Sequence, residues 1–197
     1  MAPSKSKSRE DFDWKREGMP YCQAIGTLLY FQNGTRPDIS SAVEALSRRQ
    51  ADFNRNHWEA VKRVLGYLAA TKDLHLYFSL ASESIECLVD ASLGMSAEHG
   101  HSTTGFAIYM FGCLVTWRTQ KQNHVALSSA EADFVAMSKA CRELANLRTM
   151  CLEILKLASV LTIYEDSKPA IWLDKVDDCH FEASGPALLI GERKVQA

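Results

Sequence analysis

The chain is 197 residues long, enough for one ordinary domain and a smaller companion. Hydrophobic residues make up 47% and charged residues 23%, the proportions of a globular protein able to bury a core, and no apolar run approaches the ~20 residues that span a bilayer. A formal net charge of -2 argues against a broadly basic wrapper of nucleic acid but leaves room for a localised basic face.

The opening MAPSKSKSRED is polar and charged, so residues 1–18 are expected to form a disordered leader without a signal peptide. Six scattered cysteines (Cys22, Cys87, Cys113, Cys141, Cys151, Cys179) form no CxxC or CxxH pair, and are expected to be reduced thiols of an intracellular protein.

YCQAIGTLLYFQNG then reads as an apolar helix closed by Asn33-Gly34. A second helix begins in TRPDISSAVEALSRRQ, with Pro37 near its first turn. A third occupies NHWEAVKRVLGYLAATKD, where Trp58, Val61, Leu65 and Leu68 recur on one face and Lys62 and Arg63 point elsewhere. From residue 74 the period changes. LHLYFSL alternates like an edge or linker strand, SIECLVDAS is a β-rich run, and TTGFAIYMF and GCLVTWR are strands separated by a turn at Gly112.

Ser128 or Ser129 caps a long helix with Glu131 and Asp133 near its start. Its apolar stripe runs through Phe134, Met137, Cys141, Leu144, Leu147, Cys151, Leu152 and Leu155. VLTIYED is a further strand, and KPAIWLDK starts another helix. The sum is an α/β protein, a sheet covered by helices.

Three acids stand apart from the core pattern. Asp90 ends one strand, Asp166 ends another, and Glu131 or Asp133 opens the helix between them. Residues at the carboxyl ends of parallel strands converge in space. Carboxylates held together repel unless a proton or cation offsets them, and Mg²⁺ is the natural oxygen-liganded partner. Two such ions about 4 Å apart would clamp a phosphodiester displacement. Each acid also has a plainer reading: an Asx-turn at Asp90, a dipole-complementing acid at the helix start, an N-cap at Asp166.

Five blocks carry a family resemblance: GTLLYFQNGTRPDISSAVEALSR, HWEAVKRVLGYLAATKD, VDASLGMSAEHGHSTTGFAIYMFGCLVTWRTQKQ, VALSSAEADFVAMSKACRELANLR and IYEDSKPAI. In this order they resemble the C-terminal part of a copia-type retrotransposon Pol polyprotein, over roughly residues 19–173. The resemblance implies the end of a reverse transcriptase followed by an RNase H domain, a five-stranded mixed sheet with helices packed on it. It implies Mg²⁺- or Mn²⁺-dependent cleavage of the RNA strand of an RNA–DNA hybrid by a two-metal mechanism. The family's catalytic and metal-holding acids match Asp90 in LVDAS, Asp133 in SSAEADF and Asp166 in IYEDS. The implied division is a leader 1–18, a helical remnant of the polymerase's connecting region 19–80, an RNase H-like domain 81–178 and a divergent tail 179–197. The partners implied are the RNA–DNA hybrid and the rest of a Pol polyprotein, with no membrane.

Several positions depart from the family. Asp133 stands where the pattern has Glu, and Ser167 and Lys168 stand where it has Asn and Gln. The fourth carboxylate has only Glu182, beside His180, as a loose match. No Tyr-x-Asp-Asp motif is present, so no polymerase activity is expected of this chain. Arg118 and Lys121 are the candidate contacts to the nucleic-acid backbone, with Gln122, Asn123, Lys62 and Arg63 as further ones. The alternative to an enzyme is an inactive Pol remnant or co-opted domain that keeps the fold and its binding of nucleic acid.

Overall fold

The computed structural model describes residues 18–79, 84–94, 100–156 and 161–167, and the backbone of 188–192. The expected leader (but for Gly18), the helix from KPAIWLDK, Cys179, His180 and Glu182 lie outside the described residues. The chain separates into two compact units, Met1–Leu74 and His75–Ala197, a boundary ahead of the one between 80 and 81 expected from sequence.

The first unit is helical: α1 (Tyr21–Gly34), a 3-10 turn (Pro37–Ile39), α2 (Ser40–Ser47) and α3 (Arg55–Ala70). Its core gathers Tyr21, Ile25, Leu28, Ile39, Val43, Leu46, Phe53 and Val61. Tyr21 stacks on Phe53 with ring centroids 4.4 Å apart, and its hydroxyl donates to the Leu46 carbonyl at 2.9 Å, which satisfies the one polar atom the ring carries inward. Asn54 caps α3: its side-chain oxygen accepts from the His57 amide, and His57 Nδ1 accepts from the Asn54 amide, both at 3.1 Å. Two local expectations are corrected. Gly34 is the last residue of α1 rather than its cap, because the chain leaves the helix through Thr35. On α3, Leu65 is exposed, and Val64 packs against the core beside Trp58, Val61 and Leu68.

The second unit is built on a five-stranded mixed sheet, in the order β3-β2-β1-β4-β5. The strands are β1 (Ile85–Ser92), β2 (Thr103–Met110), β3 (Cys113–Lys121), β4 (Leu161–Glu165) and β5 (Leu188–Glu192). The first three form an antiparallel meander, its β2–β3 turn taking positive φ at Phe111 and Gly112. β4 lies parallel to β1, and β5 parallel to β4. The long helix α4 (Ser129–Met150), capped by Ser128, covers one face. It is the α/β, RNase H-like arrangement that the sequence led us to expect. β5 is an addition, since the tail 179–197 had been assigned no element.

Core packing explains where α4 sits. Ala132, Ala136, Ala140 and Leu144 follow one another at intervals of four and are all buried. The small side chains let the helix axis approach β1, where Ile85, Cys87 and Val89 point inward, as do Leu161 and Ile163 of β4. The stripe ends earlier than expected: Cys151 is buried, but the helix passes into a π turn (Cys151–Leu155), and Leu152 and Leu155 face solvent. The expected strand LHLYFSL is also corrected. Residues 74–79 join no ladder, Tyr77 and Phe78 are largely exposed, and the stretch is tied at Ser79, whose amide donates to Cys113 Sγ.

Candidate active site

The acids meet at the carboxyl ends of β1 and β4. The parallel ladder pairs Ile85 with Leu161 and Leu88 with Tyr164, and the same offset carried two residues further sets Asp90 level with Asp166. Adjacent strands are ~4.8 Å apart, so these two carboxyls come from neighbouring positions and both are exposed. Asp133 arrives from the first turns of α4 and is buried. Burial pushes its carboxyl above the ordinary value, and the Asp90 and Asp166 carboxylates push it the same way; the Ser167 hydroxyl and the Ala91 amide, both donating to it, act in opposition. Asp90, Asp133 and Asp166, 76 residues apart from first to last, thus share one electrostatic site.

Sequence reasoning missed a fourth acid. Glu165 is the last residue of β4 and fully buried. Its Oε1 accepts from the amides of Asp166 (3.0 Å) and Ser167 (3.2 Å), while Oε2 has no partner. Burial pushes its carboxyl up to about 7; the neighbouring Asp133 and Asp166 carboxyls also raise it. The signal was available in the strand's alternation, because Leu161, Ile163 and Glu165 share the inward face of β4.

Glu131, the alternative to Asp133, is committed elsewhere. Its amide donates to Ser128 Oγ at 3.2 Å, and its carboxylate accepts from the Leu127 amide at 2.7 Å, completing a cap. Gln122, expected as a substrate contact, is 1% exposed and cannot serve as one. It bridges secondary-structure elements beneath the site. Asn123 is exposed.

The cations divide likewise. Arg118 lies on β3, exposed, and pairs with Glu143 of α4 at 3.5 Å. Lys121 ends β3 opposite Thr103, which itself lies opposite Ser92, so it sits at the acid end of the sheet, two strands or ~10 Å across from β1. Lys139 and Arg142 of α4 join this flank, passed over in the sequence although they stand one helical turn apart. The Lys139 ammonium is held below its ordinary value by burial, then by the Arg118 and Arg142 charges. Lys62, by contrast, pairs with Glu59 at 2.8 Å on the surface of the first unit, with Arg63 exposed beside it.

An all-carboxylate donor set fits a hard divalent cation. Among the described residues, however, no group of three or more His, Cys, Asp and Glu side chains is spaced to hold a metal ion. No helix of the described residues is long and apolar enough to cross a membrane. Cys22, Cys87, Cys113 and Cys151 are free thiols.

Comparison with known proteins bears on the origin of this arrangement. The chain is 33% identical, over 157 of its residues, to the retrovirus-related Pol polyprotein of transposon TNT 1-94 from Nicotiana tabacum, an alignment that covers 80% of the chain and 12% of that polyprotein. It is 38% identical over 128 residues to the secreted RxLR effector protein 161 of Plasmopara viticola, covering 64% of the chain and 90% of that protein. Most of the chain is thus similar to part of copia-type retrotransposon Pol polyproteins. Another relative in this Pol group is the putative transposon Ty5-1 protein YCL074W of Saccharomyces cerevisiae, 34% identical over 64% of the chain and 41% of that protein. The chain therefore spans only a small part of the full Pol polyproteins it matches. No family model matches it. Among solved structures, LC11-RNase H1 from compost aligns with a TM-score of 0.40 at 14% identity, over 56% of the chain and 84% of that structure, too distant to add to the fold already described.

Proposed function

We propose that the second unit is a metal-dependent ribonuclease H that cleaves the RNA strand of an RNA–DNA hybrid, with Asp90, Asp133 and Asp166 as its metal-holding catalytic acids. The observation that carries this reading is the parallel pairing of β1 and β4, which sets Asp90 level with Asp166 just past β4, with Asp133 of α4 near enough for both charges to raise its carboxyl. Buried like charge of this kind is costly unless a cation offsets it. Bound Mg²⁺ or Mn²⁺ would supply charge neutralisation at the scissile phosphate and a more acidic water for the attack.

The chain's own residues do the rest. The Ser167 hydroxyl and the Ala91 amide hold the Asp133 carboxylate against the sheet. Asp90 and Asp166 face solvent, where a phosphodiester can approach. The flank of Arg118, Lys121, Lys139 and Arg142 contacts the sugar–phosphate backbone without reading bases, as hybrid recognition by shape and charge requires.

The test is cleavage of an end-labelled RNA–DNA hybrid by the full chain in Mg²⁺ or Mn²⁺, beside Asp90→Asn. Cutting that needs the metal and disappears in the variant supports the enzyme. Among the described residues no three acids are spaced to hold a metal ion, which favours the second reading, a domain that binds hybrid without cutting it. Retained hybrid binding with no cleavage in either metal would establish that one instead.

A further inference from the structure

Gln122 was singled out in the sequence as a surface contact and is instead among the most deeply buried polar side chains of the second unit. It stands one residue past β3, and its backbone amide donates to the Ser102 carbonyl at 2.8 Å, prolonging the β2–β3 pairing. The side-chain amide then crosses to two other elements. Nε2 donates to Thr104 Oγ1 on β2 at 3.1 Å and to the Ala132 carbonyl of α4 at 2.9 Å. Both of its N–H groups are thereby used, while Oε1 has no partner. A buried amide oxygen left unmet is a cost, and one tolerated here for the two bonds made by the nitrogen.

The second of those bonds matters for the acids. Ala132 directly precedes Asp133, and the Asp133 carboxylate in turn receives the Ala91 amide of β1. A continuous path therefore runs from the end of β3, through the first turns of α4, to the end of β1 that carries Asp90. We propose that Gln122 is a positioning residue: by fixing the Ala132 carbonyl it sets where the Asp133 carboxylate lies between β1 and β4. It touches neither substrate nor cation and acts only through Asp133. This rests on the nuclease reading for its functional meaning, but its geometric content does not require that reading.

The chemistry demands two donors on one planar group about three bonds from the backbone. Methionine has similar reach and volume but no donor. Asparagine keeps an amide one methylene shorter, unable to span both partners. Thr104→Val removes the other bond while leaving the link to Ala132 intact, so it reports what mere loss of a buried hydrogen bond at this place does.

The experiment is amide hydrogen exchange on the full chain, read at Ala91, a residue Gln122 does not touch, with Cys87 on the same strand as internal reference. In Gln122→Met the Ala91 amide is expected to exchange at least ~10-fold faster while Cys87 is unchanged, and Thr104→Val leaves both as they are. The same variant is expected to weaken Mn²⁺ binding, followed by electron paramagnetic resonance, and to lower kcat by up to ~10²-fold, the effect of a ~1 Å misplacement, with KM little altered. If Gln122→Met does not fold, Gln122→Asn is read in its place. An unchanged Ala91 amide overturns the proposal, as does an equal rise in Thr104→Val. A chain whose Ala91 amide responds but which neither binds Mn²⁺ nor cuts hybrid keeps this inference and loses the nuclease reading.

Discussion

Replacing Glu165 by glutamine should stabilise the second unit at alkaline pH and do almost nothing at acid pH. The carboxyl is fully buried, and its pKa rises from an ordinary 4.5 to about 7, first because burial disfavours the charge and then because Asp133 and Asp166 stand beside it. A carboxyl raised in the folded state binds more protons folded than unfolded, so stability falls as pH rises. The penalty is absent below the unfolded value near 4.5 and complete above about 7. At 1.36 kcal/mol per unit, a rise of roughly 2.5 units costs about 3 kcal/mol at pH 8. Glutamine keeps the oxygen that accepts from the Asp166 and Ser167 amides and carries no charge at any pH. Its NH₂ replaces an oxygen already without a partner, so the exchange is close to neutral against the protonated acid at pH 4.5. Thermal unfolding of the full chain at pH 4.5 and 8, in EDTA, measures the difference. A melting shift of roughly 6–12 °C is expected at the higher pH, from ~2–4 °C per kcal/mol for a chain of this size. An equal effect at both pH values would refute the reasoning, as would loss of stability at pH 8.

Other outcomes follow from single contacts. Asn54→Ala removes the side-chain bond of the α3 cap, the one that accepts from the His57 amide, and should cost the first unit ~1 kcal/mol, measured by urea denaturation. The Cys87 thiol is pushed up to about 12 by burial, with Cys141 and Glu165 adding to it. Iodoacetamide at pH 8 should therefore label exposed Cys22 and spare Cys87 until the chain unfolds, as mass spectrometry of timed samples would report. The pair Lys139→Ala and Arg142→Ala should lower the slope of log affinity for hybrid against log salt by ~2, about 0.9 for each lost phosphate contact, while Lys62→Ala, whose charge is already paired with Glu59, leaves it unchanged. Fluorescence anisotropy with a labelled hybrid reads all three.

What the sequence disclosed and what it hid divide along physical lines. Periodicity located β1 to β4 and α4 because each buries one face, and burial imprints alternation or a helical stripe on the residues. The same rule erred at LHLYFSL: alternation is a property of the segment alone, whereas a strand needs a partner edge, and among the described residues the tie to a strand there joins Ser79 to Cys113. Strand ends and the helix start brought Asp90, Asp133 and Asp166 to attention, since acids there are out of register with the core. Glu165 escaped because it lies in register with the core, where an acid is an anomaly that only burial makes visible. Gln122 was misplaced for the complementary reason. A polar residue after a strand reads as solvated loop, and nothing local reveals that the β2–β3 pairing and the start of α4 close over it.

The departures at 133 and 167 acquire meaning once they are seen to touch. Aspartate in place of glutamate shortens the acid by one methylene, and serine in place of asparagine shortens the group after β4. The Ser167 hydroxyl donates to the Asp133 carboxylate, so both changes fall on one hydrogen bond. The alanine ridge of α4 brings the helix close to β1, where the shorter acid still meets the Ala91 amide and still feels Asp90 and Asp166. Decay of an unused site would scatter substitutions without regard to contact. A short acceptor matched to a short donor, beside Asp90 and Asp166, is what the nuclease reading proposed above expects of a centre kept in working geometry.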